Sequence, residues 1–475
     1  MMELRQYQIE VIDQLSAGFR DGHTRQILMM ATGSGKTAAA GEMIRRAAER
    51  GHRSIFVVER IELAGQAMRH LASLGLAVGL MQGENTLYRD TDVAIVASIQ
   101  TLSKRGIPEN IRLIVIDEAH ILFKAHQDLI ERYSAVPVIG LTATPLRKGL
   151  GQIYSRLVKG PLIADLVRDR YLVPVKAYGP TQDKIEAVLS GVGVKHQPGG
   201  RDYINHDLSK AMNRKELIGD IISTWLAKAA GLPTLVFAVD IAHSKAIVDD
   251  FAAEGIAAEH IDAYTDPDDR KDIISRFRSG ATTVLSSVSV LGVGFDVPIA
   301  ACAILARPTL SLALHIQQCG RVMRPADGKA HALILDHAAN FARHGRPESF
   351  DVEILDDGEI AAAGTKRTSE ELVPCSACGF LLERSRRECP ACGNEKRRVN
   401  QVHAVDGDLV EIDGADRIAG QVSDRRSFYL MLRHIGIDRG WSSKAAAAQY
   451  RERFNEWPPF SWNDSRPILP DQATL

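Results

Sequence analysis

A glycine-rich segment, ATGSGKT at residues 31–37, lies between an apolar run at 27–30 and a helix-like stretch at 38–50. Glycines at positions 33 and 35 let the backbone wrap tightly, so that its N–H groups can point at phosphate oxygens. The start of the following helix adds positive electrostatic potential. The pattern therefore predicts a strand, a phosphate-binding loop and a helix in succession.

The expected ligands of this loop are a nucleoside triphosphate and Mg²⁺. Lys36 would reach the β- and γ-phosphates, and the Thr37 hydroxyl would hold Mg²⁺. The common GxxxxGK[ST] pattern has glycine at position 30, where this chain has methionine. The alternative is an ordinary glycine-rich turn before a helix. The residues predicted to surround the phosphates are Thr32, Gly33, Ser34, Gly35, Lys36 and Thr37.

Apolar runs alternate with amphipathic stretches in two parts of the chain. In the first part they lie at 27–30, 54–58, 93–97, 113–116 and 136–141. In the second part they lie at 234–239, 283–287, 301–305 and 332–335. These runs are rich in Val and Ile and lack polar alternation, which is typical of strands buried on both faces. The chain is therefore predicted to form two α/β domains with parallel sheets. Residues 191–200 (GVGVKHQPGG), between the two parts, are predicted to be an exposed loop.

The sequence DEAH at residues 117–120 follows directly after the apolar run at 112–116. Asp117 at the end of a strand suits a contact with Mg²⁺, and Glu118 could act as general base on the attacking water. By itself the segment could be a helix N-terminus with favourably placed acids. Its combination with the phosphate loop favours a nucleoside triphosphatase.

The chain resembles the superfamily 2 helicases and translocases over residues 3–340. Beyond the two motifs above, further matches follow in the order of that family. They are LRQYQ (4–8, Q motif), VERIELAGQ (58–66, Ia), ASIQTL (97–102, Ib), GLTATP (140–145, III), TLVFAVDIAHS (234–244, IV), GFDVP (294–298, V) and QQCGRVMRP (317–325, VI).

The resemblance implies two tandem RecA-like domains with the nucleotide between them. It makes Gln8 the adenine reader, Arg321 and Arg324 the arginine fingers on the γ-phosphate, and Gln317 a sensor of the attacking water. Asp296 would face the ribose or the metal. The two arginines are three positions apart and so share a helix face, although such a pair can also be an ordinary solvated basic face.

Nucleic-acid contacts are implied by the same resemblance. Small polar groups of motifs Ia, Ib and V would contact the phosphate backbone without recognising its sequence. These residues are Arg60, Gln100, Thr101 and Ser287. The family often has Thr near position 288, where this chain has Val. For each residue the alternative is an ordinary loop contact.

Four cysteines form the pattern Cys375-x₂-Cys378-x₁₀-Cys389-x₂-Cys392. Each pair is followed by glycine, and four thiolates favour a closed, tetrahedral and therefore structural Zn²⁺ site. Iron or a redox role is the alternative. Basic residues surround this predicted zinc ribbon, and they could clamp nucleic acid or form the solvated rim of a protein-docking ribbon. They are Arg384, Arg386, Arg387, Lys396, Arg397 and Arg398.

A two-domain motor followed by a four-cysteine ribbon is most similar to the RadD-type DNA repair helicases and related phage helicases. The resemblance implies an ATP-dependent helicase or translocase acting on DNA, rather than RNA, in repair, recombination or replication, with replication or repair proteins as partners. The alternatives are the motor part of a restriction system and a nucleotide-switched DNA clamp that does not unwind. The net charge of −1 does not itself support nucleic-acid binding.

The predicted boundaries are 1–160 and 161–345 for the RecA-like domains, 346–372 for a linker, 373–400 for the ribbon and 401–475 for a helical module. Three of the four tryptophans lie near the C-terminus, where they would pack this module or, when exposed, stack on bases. The sequence has no apolar run of about 18 residues and no secretory pattern, so a cytoplasmic protein with no membrane contact is expected.

Overall fold

The chain divides into two compact units, residues 1–397 and residues 398–475. A computed structural model describes residues 4–59, 61–197, 200–288, 290, 297–358, 372–395 and 425–470. Among these residues, no helix is both long enough and apolar enough to span a bilayer.

The first lobe of the larger unit is built on an eight-stranded sheet. Its strands are β1 (Arg25–Met29), β2 (Arg53–Val58), β3 (Val78–Gln82), β4 (Asn85–Leu87), β5 (Ala94–Ser98), β6 (Ile111–Ile116), β7 (Val138–Thr142) and β8 (Arg156–Lys159). The order is β4-β3-β5-β2-β6-β7-β1-β8, and only β4 is antiparallel to its neighbour. The helices of this lobe are α1 (Gln6–Arg20), α2 (Lys36–Glu49), α3 (Ile61–Ser73), α4 (Ile99–Arg105), α5 (Lys124–Arg132) and α6 (Leu150–Ile153).

Successive residues of the central strands enter two separate apolar cores. Leu28 and Phe56 belong to one core, whereas Ile27, Ile55 and Val57 belong to the other. Because side chains alternate between the faces of a strand, both faces of this sheet are covered. This explains why the strands have no polar alternation in the sequence.

The second lobe has a six-stranded sheet that is entirely parallel, in the order β13-β14-β12-β15-β16-β9. Its strands are β9 (Val175–Tyr178), β12 (Thr234–Phe237), β13 (Ala258–Ile261), β14 (Val284–Ser287), β15 (Cys302–Leu305) and β16 (Ala332–Asp336), and a separate hairpin contains β10 (Val194–Gln197) and β11 (Gly200–Tyr203). The helices are α7 (Ile163–Arg168), α8 (Gln182–Leu189), α9 (Asn205–Met212), α10 (Lys215–Lys228), α11 (Ile241–Ala253), α12 (Pro267–Ser279), α13 (Leu312–Val322) and α14 (Asn340–His344), with a 3₁₀ turn at Pro347–Ser349.

The hairpin corrects part of the prediction for residues 191–200. That segment was expected to be an exposed loop, but Val194–Gln197 pairs antiparallel with Gly200–Tyr203. The glycines and the proline of the segment obscured a short strand, since alternating Val, Lys and His gave too short a pattern to recognise.

Residues 346–358, the described part of the predicted linker, pack against both lobes. Phe350 and Val352 join the core of the second lobe, whereas Leu355 joins a core of the first. The Asp351 carboxylate forms an ion pair with Lys159 of β8 at 2.5 Å. Farther along, the N–H of Gly151 donates to the carbonyl of Asp356 at 2.7 Å. We call residues 346–358 the strap.

The cysteine-bearing segment contains the short antiparallel strands β17 (Leu372–Pro374) and β18 (Leu381–Glu383). It docks on the edge of the second lobe, where Tyr178 bridges Phe380 and the two rings meet edge to face at 5.4 Å. Arg346 of the strap donates to the carbonyls of both Val175 and Leu381 at 3.3 Å. The segment is therefore attached to β9.

The smaller unit has helices α15 (Arg425–Asp438) and α16 (Ser443–Phe454), followed by a 3₁₀ helix at Phe460–Asp464. Its apolar core consists of Phe428, Tyr429, Leu432, Ala446 and Tyr450. The architecture confirms the predicted fold class: two parallel-sheet α/β domains, a four-cysteine cluster and a helical C-terminal module.

Candidate nucleotide site and cysteine cluster

Three loops of the first lobe meet at one edge of its sheet. Strands β6, β7 and β1 are neighbours and parallel. The loops that leave their carboxyl ends are 117–120, 143–149 and 30–35. Since parallel strands end at the same edge, the DEAH segment, motif III and the phosphate loop lie side by side, which is the usual position of a ligand site in such sheets.

The phosphate loop has the backbone that its glycines predict. Gly33 and Gly35 have φ angles of +85° and +87°, in the left-handed region that favours glycine. The Ser34 hydroxyl donates to the carbonyl of Ala31 at 2.7 Å, and Lys36 Nζ donates to the carbonyl of Met30 at 3.2 Å. The loop therefore curls back on itself around the lysine.

Methionine at position 30 is compatible with this geometry. Its carbonyl, which any residue supplies, holds Lys36, while its buried side chain packs into a core of the first lobe. A Cβ at Gly160 would lie only 2.7 Å from Met30 Cγ, so a glycine opposite makes room for the larger side chain.

Lys36 is surrounded by both acidic and basic side chains. Burial lowers the pKa of Lys36, and the carboxylates of Glu118 and Asp117 oppose this effect. Burial also raises the pKa of Asp117 to about 7, to which Glu118 contributes, while Lys36 opposes the rise. A buried carboxylate with a raised pKa, beside a second carboxylate, fits a hard divalent cation, because the charge of the cation would favour the ionised form of Asp117. Asp117 and Thr37 would hold Mg²⁺ here.

Glu118 is held in a restricted conformation. Its φ angle is +48°, which is uncommon for a residue with a side chain. Its N–H donates to Asp117 Oδ1 at 3.0 Å, and its Oε2 lies 3.3 Å from His120 Nδ1. An acidic residue in the left-handed backbone conformation is strained, and strain of this kind is often found at functional sites.

His120 links the DEAH segment to motif III, a connection that the sequence analysis did not assign. Its Nδ1 lies 2.9 Å from the hydroxyl oxygen of Thr142, which also accepts the N–H of Thr144 at 3.0 Å. Burial, together with the positive charges of Lys36 and Arg147, lowers the pKa of His120 to about 4. The imidazole is therefore neutral and couples the two loops at physiological pH.

Helix α13 of the second lobe rests directly on the phosphate loop. A Cβ at Gly320 would lie 2.8 Å from the Cβ of Thr32, and a Cβ at Gly33 would lie 3.4 Å from Arg324 Cγ. Glycine thus occurs on both sides of the contact, and at Gly320 a Cβ would fit only if Thr32 moved.

The predicted arginine fingers face the lysine of the loop. Arg321 is buried in α13, whereas Arg324 is partly buried and lies beyond the end of that helix at Val322, so the prediction that the two arginines share a helix face was wrong. Both guanidinium groups contribute to the lowered pKa of Lys36, and Arg321 also opposes the raised pKa of Asp117. Gln317 is buried one turn earlier on the same helix. The structure therefore brings Lys36, Asp117, Glu118, Arg321 and Arg324 together.

Gln8 supports the phosphate loop in this conformation. Its Oε1 accepts the N–H of Arg5 at 2.9 Å, and its Nε2 donates to the carbonyl of Ser34 at 3.1 Å. A Cβ at Gly35 would lie 2.3 Å from that Nε2. Both ends of the amide thus have partners within the protein, and the reading of adenine by Gln8 stays a prediction.

An aromatic group beside Gln8 was missed by the sequence analysis. The Tyr7 hydroxyl donates to the carbonyl of Ser34 at 2.8 Å, and its ring meets Tyr171 edge to face at 5.3 Å. The Arg5 guanidinium lies 4.6 Å from the centroid of Tyr171. The two tyrosine rings and the guanidinium join the N-terminal segment to the second lobe. In the sequence, only the position of Tyr7 next to Gln8 in the Q motif could have indicated this contact.

The residues expected to contact nucleic acid differ in their exposure, and one of them, Arg60, is not described by the structure. Asp296, which was expected to face the ribose or the metal, also lies outside the described residues. Gln100 is exposed, and its Nε2 donates to the carbonyl of Glu59 at 3.1 Å. The side chains of Thr101 and Ser287 are buried. The Thr101 hydroxyl oxygen already accepts the N–H of Gly83 at 2.8 Å, and contact of Thr101 and Ser287 with nucleic acid stays a prediction.

The four cysteines of the ribbon form a compact cluster. Their sulfur atoms all lie within 4.8 Å of one another, with Cys375–Cys392 at 3.8 Å and Cys378–Cys389 at 3.7 Å. Four sulfurs about 2.3 Å from a tetrahedral Zn²⁺ would be about 3.8 Å apart. The donor set and its spacing therefore fit zinc.

Backbone turns prepare the cluster for thiolates. Gly379 and Gly393 have φ angles of +74° and +70°, and their N–H groups close turns onto the carbonyls of Cys375 and Cys389. Burial opposes ionisation of Cys375, but donation from the N–H groups of Ala377 and Cys378 outweighs it and lowers the pKa to about 6, whereas burial raises the pKa of Cys378 in the same cluster.

The basic rim of the ribbon is only partly described. Arg384, Arg386 and Arg387 are exposed on it. Lys396, Arg397 and Arg398 lie outside the described residues.

We predict that Cys375→Ser removes bound metal. Purified protein should contain about one zinc per chain by elemental analysis, because the four thiolates close a tetrahedral site, and the serine variant should contain less than half of that amount. Cys302→Ala, which changes a buried thiol outside the cluster, should retain zinc. Wild-type protein without zinc, or full zinc in the serine variant, would contradict the assignment.

We predict that Gly320→Ala slows ATP turnover by about 10- to 100-fold, because an added Cβ forces α13 away from Thr32 and misplaces the arginines. Gly219→Ala is the matched control, since a Cβ at that helical glycine meets no atom within 4 Å. Steady-state hydrolysis and thermal melting check both variants. Unchanged turnover by folded Gly320→Ala protein would mean that this contact is dispensable.

Comparisons with known proteins agree with this arrangement. Residues 1–147 match the family described as "Type III restriction enzyme, res subunit", and residues 214–326 match the "Helicase conserved C-terminal domain". The chain is 29% identical over 369 residues to a "51.5 kDa protein" of a Lactococcus phage, covering 76% of each chain. It is 33% identical over 359 residues to the "Putative ATP-dependent helicase IRC3" of Saccharomyces cerevisiae, covering 70% of this chain.

The chain spans about half (51%) of the length of that yeast relative. Among solved structures, the "ATP-dependent Type ISP restriction-modification enzyme LlaBIII bound to DNA" superposes with a TM-score of 0.53 at 18% identity, over 70% of this chain and 27% of that one. This similarity shows the shared fold. The two family matches, which together cover more than half of the chain, place it in superfamily 2 of the helicases.

Proposed function

We propose that this chain is an ATP-driven motor that moves along or unwinds nucleic acid, with DNA as its track. The observation that carries the proposal is the contact of α13 with the phosphate loop, which brings Arg321 and Arg324 to Lys36. A site divided between two lobes is complete only when its cleft is shut, so nucleotide state and lobe closure are linked.

The side chains of the site have complementary tasks. Lys36 binds the β- and γ-phosphates, and the two arginines stabilise the charge that develops on the γ-phosphoryl group. Glu118 accepts a proton from the attacking water. Mg²⁺, when bound by Asp117 and Thr37, neutralises phosphate charge. His120 and Thr142 transmit the state of the acidic loop to motif III.

If each lobe holds one part of a strand, cycles of closure and opening become stepwise movement. Repair, recombination or replication of DNA is the setting we propose. DNA is favoured over RNA because of the resemblance to RadD-type and phage helicases, together with a DNA-bound fold neighbour.

A second candidate is the motor part of a restriction system. It is favoured by the description of the family that residues 1–147 match and by the fold shared with a restriction-modification enzyme. A nuclease supplied by another chain would then cleave DNA. DNA cleavage that requires this chain, ATP and the partner would support the second candidate.

We predict that DNA stimulates ATP hydrolysis by about tenfold or more, because a strand bound across both lobes favours the closed cleft. Hydrolysis should be titrated with single-stranded DNA, duplex DNA and RNA, alongside a strand-displacement assay. Stimulation with displacement supports unwinding, whereas stimulation without displacement supports translocation or a nucleotide-switched clamp. Turnover that none of the three polymers stimulates would overturn the proposal.

We predict that Glu118→Gln lowers turnover by about 10²- to 10⁴-fold while ATP binding remains, because the amide cannot accept the proton. Lys36→Ala should lose ATP binding itself. Fluorescent-nucleotide titration and phosphate release separate the two effects. Glu131→Gln, an exposed acid on α5, serves as the control. Full turnover in Glu118→Gln would show that another group is the base.

A further inference from the structure

The described part of the smaller unit, residues 425–470, is basic, although neither the whole unit nor the whole chain is. Residues 425–470 carry eight Lys and Arg side chains and four Asp and Glu side chains, a net charge of +4, whereas the full chain has −1. The basic residues are Arg425, Arg426, Arg433, Arg439, Lys444, Arg451, Arg453 and Arg466. Such a local excess, on two helices and the segment that follows them, favours a polyanionic partner for this part of the unit.

Two aromatic side chains of this unit are left out of its core. Trp462 packs against the buried cluster that contains Tyr429 and Tyr450. By contrast, Trp457 is 57% exposed and Phe460 is 88% exposed. Exposing two large rings so close together is costly in water, which suggests a surface that is covered by a ligand.

The sequence between the two rings makes their presentation rigid. Pro458 and Pro459 separate them and fix two successive φ angles. Phe460 then begins the 3₁₀ helix Phe460–Asp464. Little conformational entropy is lost when a ligand covers rings that the backbone already holds in place.

A cation accompanies the rings. The Arg451 guanidinium lies 4.8 Å from the centroid of the Trp457 ring. Arg451 is exposed on the last turn of α16. A guanidinium beside a stacking surface can bind a phosphate while a base covers the ring.

We propose that Trp457, Phe460 and Arg451 form a stacking platform for single-stranded nucleic acid. Exposed rings with adjacent arginines suit a strand whose bases are unstacked and whose phosphates follow the positive side chains. Duplex nucleic acid fits less well, because its bases already stack on one another. The platform rests on the proposed function, since it supplies the motor with a second hold on its track.

The test uses the full chain without nucleotide and a fluorescein-labelled oligothymidylate of about 20 nucleotides. Fluorescence anisotropy should show a dissociation constant about tenfold or more higher for Trp457→Ala/Phe460→Ala than for wild type. Trp457→Phe, which keeps a ring, should bind within about threefold of wild type. Ile437→Ala, which removes another exposed apolar side chain of the unit (68% exposed), should bind as wild type does.

Quenching of tryptophan fluorescence distinguishes stacking of a base on Trp457 from a purely structural role of this residue. The oligonucleotide should quench wild-type emission, and Trp457→Phe should lose most of this quenching although it still binds. Unchanged affinity of the folded double variant overturns the platform, as does equal quenching in Trp457→Phe. Loss of binding to anionic phosphatidylserine vesicles, with DNA affinity unchanged, overturns it in favour of a membrane surface.

Different measurements test the proposed platform and the proposed motor. In the double variant, saturating oligonucleotide should still stimulate ATP turnover to within about twofold of wild type, with a higher half-saturating concentration. Wild-type turnover that no nucleic acid stimulates would refute the motor, while the anisotropy and quenching results would still decide the platform.

Discussion

The contact between Gly320 and Thr32 is the interaction on which the site depends. It sets the distance between a helix of one lobe and the phosphate loop of the other, and a single methyl group at Gly320 would exceed the available space. Around it, three cationic side chains and two carboxylates share a poorly hydrated volume. Asp117 and Lys36 favour each other's charged forms, whereas the arginines raise the cost of charging the lysine. A polyanion with a divalent cation is a ligand that would satisfy this mixture of charges.

The buried strands could be predicted from the sequence because each apolar run had to be covered on both faces. Strands such as β13, with Glu259 and His260 in its middle, lack that signal, and their position depends on pairing with β14. Strand β9 is also short, and it joins the second sheet beside β16 only because of tertiary packing. Local pattern therefore indicates the centre of each sheet better than its edges.

Motif order indicated which residues gather at the nucleotide site, but not the direction of each side chain. Thr101 lies where motif Ib predicts, yet its hydroxyl oxygen accepts the N–H of Gly83 inside the protein. Gln8 likewise lies beside the phosphate loop, where its amide bonds to Ser34. His120 and Tyr171 depend on partners far away in the chain, so no local spacing could assign their contacts.

The strap has a mechanical consequence for any motor built in this way. It is anchored in the core of one lobe by Phe350 and held by the other through Lys159 and Leu355. When the lobes separate, these attachments must either break or draw the cysteine-bearing segment along, since Arg346 connects the strap to it. While these attachments hold, the strap is a tether that limits how far the two lobes can separate.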